Sequence, residues 1–194
     1  MLEVVEIPVT PFQQNCTLLI CSATRKAAVC DCGDAGPALA EIESRGVTVE
    51  LILATHGHLD HIGGTAELQK ALGVPFLFPK EDDFWRVALP EQAAAYGFPP
   101  IEVSEPDGEL VHGQRVCIGE VELEVRHCPG HTPGHVVFYD APTGTLIAGD
   151  VIFQGSVGRT DFPRGSWPQL ENSIKQQIYT LQAETRIYCG HGPT

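Results

Sequence analysis

Three histidines and an aspartate fall within six positions, His56-Gly57-His58-Leu59-Asp60-His61, in a chain of 194 residues that holds 8 histidines in all. Imidazole nitrogen and carboxylate oxygen are donors that zinc, iron and manganese accept. In an extended segment residues 56, 58 and 60 point the same way, so two imidazoles and a carboxylate can converge on one side. A helix would swing His58 away from the other two. The spacing therefore predicts a metal site on an extended loop. A solvated polar turn is the alternative, and a lone His-x-His would favour it; the added Asp60 and His61 favour metal.

Three further stretches carry ligand-type residues: Pro129-Gly130-His131-Thr132-Pro133-Gly134-His135, then Gly149-Asp150, then Gly190-His191-Gly192. Singly each is a weak signal, because polar residues at strand ends are common. Each nevertheless follows an apolar run. Loops at the same kind of strand end can deliver all of them to the first cluster.

The elements that would position these loops follow from hydrophobic periodicity. Val47, Val49 and residues 51–54 read as a buried strand running into His56. Residues 3–8, 16–21 and 26–30 read as three earlier strands, and 35–45 as a helix stopped by Gly46. A helix over 65–72, closed by Gly73, and a strand over 74–78 come next. Residues 81–97 place Asp82, Asp83, Phe84, Trp85 and Val87 at helical spacing broken by Pro90, a helical cover whose aromatics pack inward. After a loop-rich stretch over 99–113, Val116, Ile118, Val121, Leu123 and Val125 alternate with polar residues, predicting a hairpin of 114–118 with 120–127. A second hairpin joins 135–139 to 144–148, followed by a helix over 168–181 and a strand over 186–189. Two mixed sheets with helices outside, an α/β chain forming one domain over 1–194, fit this order.

Acidic residues outnumber basic ones 25 to 12, a net charge of −13, which argues against nucleic acid or an anionic membrane as partner. Residues 1–6 lack the basic and apolar regions of a secretory leader, and no apolar run reaches membrane-spanning length. The 7 cysteines, odd in number and irregularly spaced, fit a reduced, cytoplasmic chain better than a disulfide scaffold. Cys30-x-Cys32 is too close for a zinc pair, and no cysteine stands in a Cys/His catalytic motif.

With these motifs in this order, the sequence resembles the metallo-β-lactamase superfamily over nearly its whole length, and within it the short bacterial glyoxalase II-like hydrolases. The segment from Asp150 through Gly158-Arg159-Thr160-Asp161-Phe162-Pro163-Arg164-Gly165 is similar to theirs after the bridging aspartate. The resemblance implies an αββα sandwich with a two-metal site in the groove between the sheets. His56, His58 and His131 would hold one metal, Asp60, His61 and His191 the other, and Asp150 would bridge both. Two divalent ions are implied, zinc first, with iron or manganese as alternatives. The implied reaction is hydrolysis of S-D-lactoylglutathione to D-lactate and glutathione by a hydroxide held between the metals, with Asp60 as both ligand and orienting group. The first histidine of the 131–135 loop would be the ligand, leaving His135 to hydrogen-bond nearby, and Asp31 would support the site without ligating.

A persulfide dioxygenase reading stays open, since that family shares the fold and the Gly-Arg-Thr-Asp-Phe pattern but uses one iron held by two histidines and an aspartate. So do hydrolases of another thioester, ester, lactone or phosphodiester; the complete ligand set disfavours a non-enzymatic metal-binding module. The expected partner is a small-molecule thioester, a glutathione conjugate. Larger glyoxalase II enzymes bind glutathione partly through basic residues of a C-terminal helical domain, and this sequence carries none before its end at Thr194. Arg159, Arg164 and Lys80 are then the candidate anion partners.

Overall fold

The computed structural model describes residues 1–194. Strands β1 (Leu2–Val9), β2 (Gln14–Cys21), β3 (Lys26–Cys30), β4 (Thr48–Leu53), β5 (Phe76–Phe78) and β6 (Gly108–Glu109) form one sheet in sequential order, antiparallel at first and parallel from β3 onward. The second sheet has the order β13-β10-β9-β8-β7, where β7 is Arg115–Ile118, β8 Val121–His127, β9 Val136–Asp140, β10 Thr145–Gly149 and β13 Arg186–Cys189. A small hairpin, β11 (Ile152–Phe153) with β12 (Ser156–Val157), stands apart.

Side-chain alternation explains why these two sheets stack with helices outside. In β2, Leu18 and Ile20 join a core shared with helices α1 (Ala35–Arg45) and α3 (Thr65–Leu72), while Leu19 and Cys21 face the other sheet. In β9, Val136 and Phe138 meet that inter-sheet core, and Val137 and Tyr139 pack outward against helix α6 (Trp167–Ser173) through Leu170. A strand buried on both faces needs apolar residues at every position, and the central strands supply them. Each fully buried Leu, Ile or Phe in these layers contributes about 1.5–3 kcal/mol of transfer free energy. The result is the expected αββα sandwich of two mixed sheets.

Local chemistry accounts for the helix ends. Asp34 has extended backbone and accepts from Gly36 N–H at 3.0 Å, capping α1, and Gly46 ends that helix in the left-handed region at φ 58°. Where 81–97 was expected as one cover broken by Pro90, the chain makes a tight turn over Lys80–Asp82, then α4 (Asp83–Val87) and α5 (Leu89–Tyr96). Pro90 lies in the first turn of α5, where its missing N–H costs nothing. The helix expected over 168–181 begins as α6 and widens into a π-helical turn over Ile174–Ile178. No helix is long and apolar enough to cross a membrane.

One expectation at the centre of the molecule is corrected. The chain bends at Thr55 and His56 and is extended at His58, and Leu59–Ile62 forms a single helical turn, α2, that begins directly after His58. Asp60 and His61 therefore reach the centre from a helical turn, which lets both face it where an extended strand would have put His61 on the opposite face.

Candidate metal centre

Each ligand-type residue sits just past the C-terminal end of a strand: His56 after β4, His131 after β8, Asp150 after β10 and His191 after β13. The sandwich brings these ends to one rim. Donor atoms of His56, His58 and His131 lie within 4.8 Å of one another, and so do those of Asp60, His61 and His191, and of His56, His61 and Asp150. Asp150 spans the groups, with Oδ1 3.3 Å from His61 Nε2 and Oδ2 3.5 Å from His131 Nε2 and 3.6 Å from His191 Nε2. All seven residues named from the sequence thus meet at one point.

Hydrogen bonding on the outer side of each ring fixes what faces inward. Asp31 accepts from Thr55 N–H and from the Thr55 hydroxyl, both at 2.7 Å, so the Thr55 oxygen is left to accept from His56 Nδ1–H at 3.0 Å. His61 Nδ1 donates to Asp31 Oδ2 at 3.0 Å, His131 Nδ1 to the Arg159 carbonyl at 2.7 Å and His191 Nδ1 to the Phe12 carbonyl at 3.3 Å. Four imidazoles therefore present Nε2 to the same space, and His58 Nδ1 stands 3.0 Å from both His56 Nε2 and His131 Nε2. His61 Nε2 and Asp150 Oδ1 are buried with no hydrogen-bond partner. Two carboxylates and four ring nitrogens converging here hold positive charge among them, a proton or a metal cation, and anchored imidazoles of this kind are how metal ligands are oriented. The donor set fits divalent metal.

The field at the centre agrees. Burial pushes the His56 and His131 imidazoles down and takes His58 to about 3, so these rings are neutral at physiological pH and free to donate lone pairs. Burial opposes charge on His61 too, yet Asp150, Asp31 and Asp60 outweigh it and hold His61 well above its ordinary value. Asp150 itself is buried but kept ionised by His61, His131 and His191. Positive charge is what this cluster stabilises.

His135 does not join. Its Nε2 accepts from Asp150 N–H at 3.0 Å and its ring stacks on His56 at 4.8 Å, so its lone pair is spent on holding the aspartate's backbone. Close approach at Gly149 makes room: a Cβ there would lie 2.8 Å from the His135 ring. His127 and His112 bond to each other and to the 133 carbonyl, away from the cluster.

Several positioning residues gave no sequence signal. Asp82, fully buried, accepts from Gly57 N–H at 3.0 Å and from Gly134 N–H at 2.6 Å, tying the two histidine loops together. Gln92 accepts from Leu59 N–H at 3.0 Å and donates to the Trp85 carbonyl at 2.8 Å, fixing α2 against α4. Asn15 donates to the carbonyls of Cys189 at 3.1 Å and Gly192 at 2.8 Å, pinning the His191 loop to β2.

Beside the cluster opens a cavity of about 530 Å³, lined by Asp60, His58, His131, Asp150 and His191 and by aromatic residues. Of the three candidate anion partners only Arg159 lines it; Arg164 lies over the Phe84 ring at 4.1 Å, and Lys80 is exposed outside it.

A family model described as the Metallo-beta-lactamase superfamily matches residues 9–191. The hydroxyacylglutathione hydrolase GloC of Haemophilus influenzae is 39% identical over 188 residues, covering 96% of this chain and 89% of its own. Among solved structures, TTHA1623 in a di-iron-bound form has a TM-score of 0.90 at 34% identity, covering 98% of this chain and 93% of its own. The BLEG-1 B3 metallo-beta-lactamase also has a TM-score of 0.90, at 33% identity, covering 98% and 92%. With these likenesses added to the donor set, the chain belongs to the metallo-β-lactamase superfamily and is a metal-dependent hydrolase.

Proposed function

We propose that His56, His58 and His131 hold one divalent ion and Asp60, His61 and His191 a second, with Asp150 reaching both, and that the chain hydrolyses S-D-lactoylglutathione to D-lactate and glutathione. The observation that carries the two-ion reading is the set of four imidazoles whose outer nitrogens are tied away, leaving each Nε2 aimed at one space beside Asp60 and Asp150. When bound, the ions supply Lewis acidity that polarises a carbonyl and lowers the pKa of water toward about 7.

The chain's own residues do the rest. Asp60 lines the cavity, and His61 and His191 keep its carboxylate ionised against burial, with His191 Nε2 3.2 Å from Oδ2. It is the group placed to orient the attacking water and take its proton. Addition of water oxygen to the carbonyl carbon is followed by cleavage of the C–S bond, the electron pair leaving on sulfur. A thiolate, whose conjugate acid has a pKa of about 8.5, departs without a strong general acid. The name of the Haemophilus influenzae relative supports a glutathione thioester as substrate.

The test is incubation of metal-loaded protein with S-D-lactoylglutathione under an oxygen electrode. Equimolar D-lactate and glutathione without oxygen uptake are expected. No thioester turnover, or oxygen consumption with glutathione persulfide, would overturn the reading.

A further inference from the structure

Of the five imidazoles turned on the metal centre, four have their outer nitrogen bonded to an oxygen, and His58 does not. Its Nδ1 faces the donor group, 3.0 Å from His56 Nε2 and from His131 Nε2. A neutral imidazole carries one ring hydrogen, so with the Nδ1 lone pair given to the centre that hydrogen sits on Nε2. His58 Nε2 is buried and has no hydrogen-bond partner. A buried N–H without an acceptor is costly, and ligand imidazoles are ordinarily held by the group on their far nitrogen. What holds this ring has to be found among its other neighbours.

Two aromatic side chains pack on it. The Trp85 indole meets the imidazole at 4.6 Å and 75°, and the Phe162 ring meets it at 5.2 Å and 73°. Such T-shaped pairs set the edge of one ring on the face of the other. Trp85 Nε1 is likewise buried and without a partner, so both members of the closer pair bring a donor and neither brings a lone pair. The fold keeps the indole in place. A Cβ on Gly57 would stand 2.7 Å from Trp85 Cβ, so the glycine between the two histidines lets α4 close on their loop. Gln92 donates to the Trp85 carbonyl at 2.8 Å while accepting from Leu59 N–H at 3.0 Å, which ties the tryptophan to the residue after His58.

We propose that Trp85 is a positioning residue for the metal centre: its indole face accepts the His58 Nε2–H and fixes that ring with Nδ1 toward His56 and His131. The inference rests on the two-ion reading for the ligand role of His58. An aromatic face attracts an N–H through the negative charge above the ring, and indole does so more strongly than phenyl. The shorter distance also favours Trp85 over Phe162. A face is a weaker acceptor than an oxygen, so it orients His58 without raising its basicity as Asp31 raises that of His61.

The test is proton–nitrogen NMR of the zinc-loaded chain, isotope-labelled at the histidine ring nitrogens, beside zinc affinity measured by chelator competition. In the parent, the His58 Nε2 proton lies over the indole and resonates upfield of the ring N–H protons bonded to oxygen. Trp85→Phe keeps a face, so the upfield position persists and both zinc affinities stay within about threefold. Trp85→Leu removes the face: the resonance moves downfield or exchanges with water, and one of the two ions binds about tenfold more weakly while the other is unchanged. Phe162→Leu leaves the resonance in place. A parent His58 N–H at the downfield position of an oxygen-bonded imidazole would overturn the proposal, and that spectrum decides the matter even if Trp85→Leu fails to fold. So would parent affinity for both ions in Trp85→Leu, equal weakening of both, or a resonance displaced by Phe162→Leu instead. Fewer than two ions in the parent would sink the two-ion reading, while the same resonance would still uphold or overturn the role of the indole.

Discussion

At the residue scale, the centre is defined by which lone pairs are already used. His56, His61, His131 and His191 each give one nitrogen to a fixed acceptor, whereas His135 gives its lone pair to the Asp150 backbone N–H. This separates two substitutions that look alike on paper. Asp150→Ala removes the side chain that reaches both donor groups; metal content measured by elemental analysis falls below two ions per chain, and thioester turnover drops by about 10³-fold or more. Retention of both would break the assignment. His135→Ala removes a support of the Asp150 backbone, so both ions remain but bind about 10–100-fold more weakly. A stoichiometric loss of one ion there would instead exchange the roles of His131 and His135. The ligand types were legible in the sequence because six crowded positions and three strand-end loops cannot hide. Of the anchors only Asp31 was expected, through the resemblance, as a support that does not ligate; its bonds to Thr55 across 24 residues and the His131 bond to the Arg159 carbonyl across 28 are pairings that no local pattern encodes.

At the element scale, the strands were readable because a period of two sorts each of them between two cores, as Leu18 and Leu19 do in β2. The turn over Leu59–Ile62 was not, since four residues are too few to display a helical period. Asp82 escaped for a related reason: within the 81–97 cover it looks like one more helical polar residue, while its backbone partners lie 25 and 52 positions away. Holding the loops of His56–His58 and His131–His135 together, it sets their separation. Asp82→Asn puts an amide donor against an N–H, and metal affinity measured by competition with a chelator falls about 10–100-fold with little change in far-UV dichroism.

Burial lifts the Asp82 carboxyl to about 6 in spite of those N–H bonds. A folded-state pKa above the unfolded value near 3.8 means the fold favours the protonated form. Stability from this group is complete below about pH 4 and is lost as pH rises through 6. The difference in urea midpoint between parent and Asp82→Asn therefore narrows from pH 4 to pH 7; a constant difference would show that Asp82 does not titrate there. Close packing makes another element-level claim. A Cβ at Gly190 would overlap Asp150 Oδ1 and stand 2.9 Å from His61 Cε1, so Gly190→Ala displaces both side chains and costs metal although no ligand is replaced.

At the scale of the whole molecule, stacking two sheets in register puts the C-terminal ends of β4, β8, β10 and β13 on one rim, and the centre exists only when both sheets are in place. Metal and fold are then linked: ions that bind the folded chain alone stabilise it by about 2.7 kcal/mol at a hundredfold excess over Kd, so chelation lowers the melting temperature. The cysteines lie outside this linkage. All 7 are free, Cys117 exposed and Cys128 buried with its thiol pushed up to about 12 by burial. Iodoacetamide at pH 8 accordingly labels Cys117 in the native protein and reaches Cys128 only after unfolding, a pattern that peptide mass mapping reads directly.

The most direct test of the two-ion centre is anomalous diffraction from crystals of the purified chain, recorded at the zinc, iron and manganese edges. Two peaks are expected, one among His56, His58 and His131 and one among Asp60, His61 and His191, with the Asp150 carboxylate between them. A single peak, no peak at this rim, or a peak ligated by His135 in place of His131 would contradict the account.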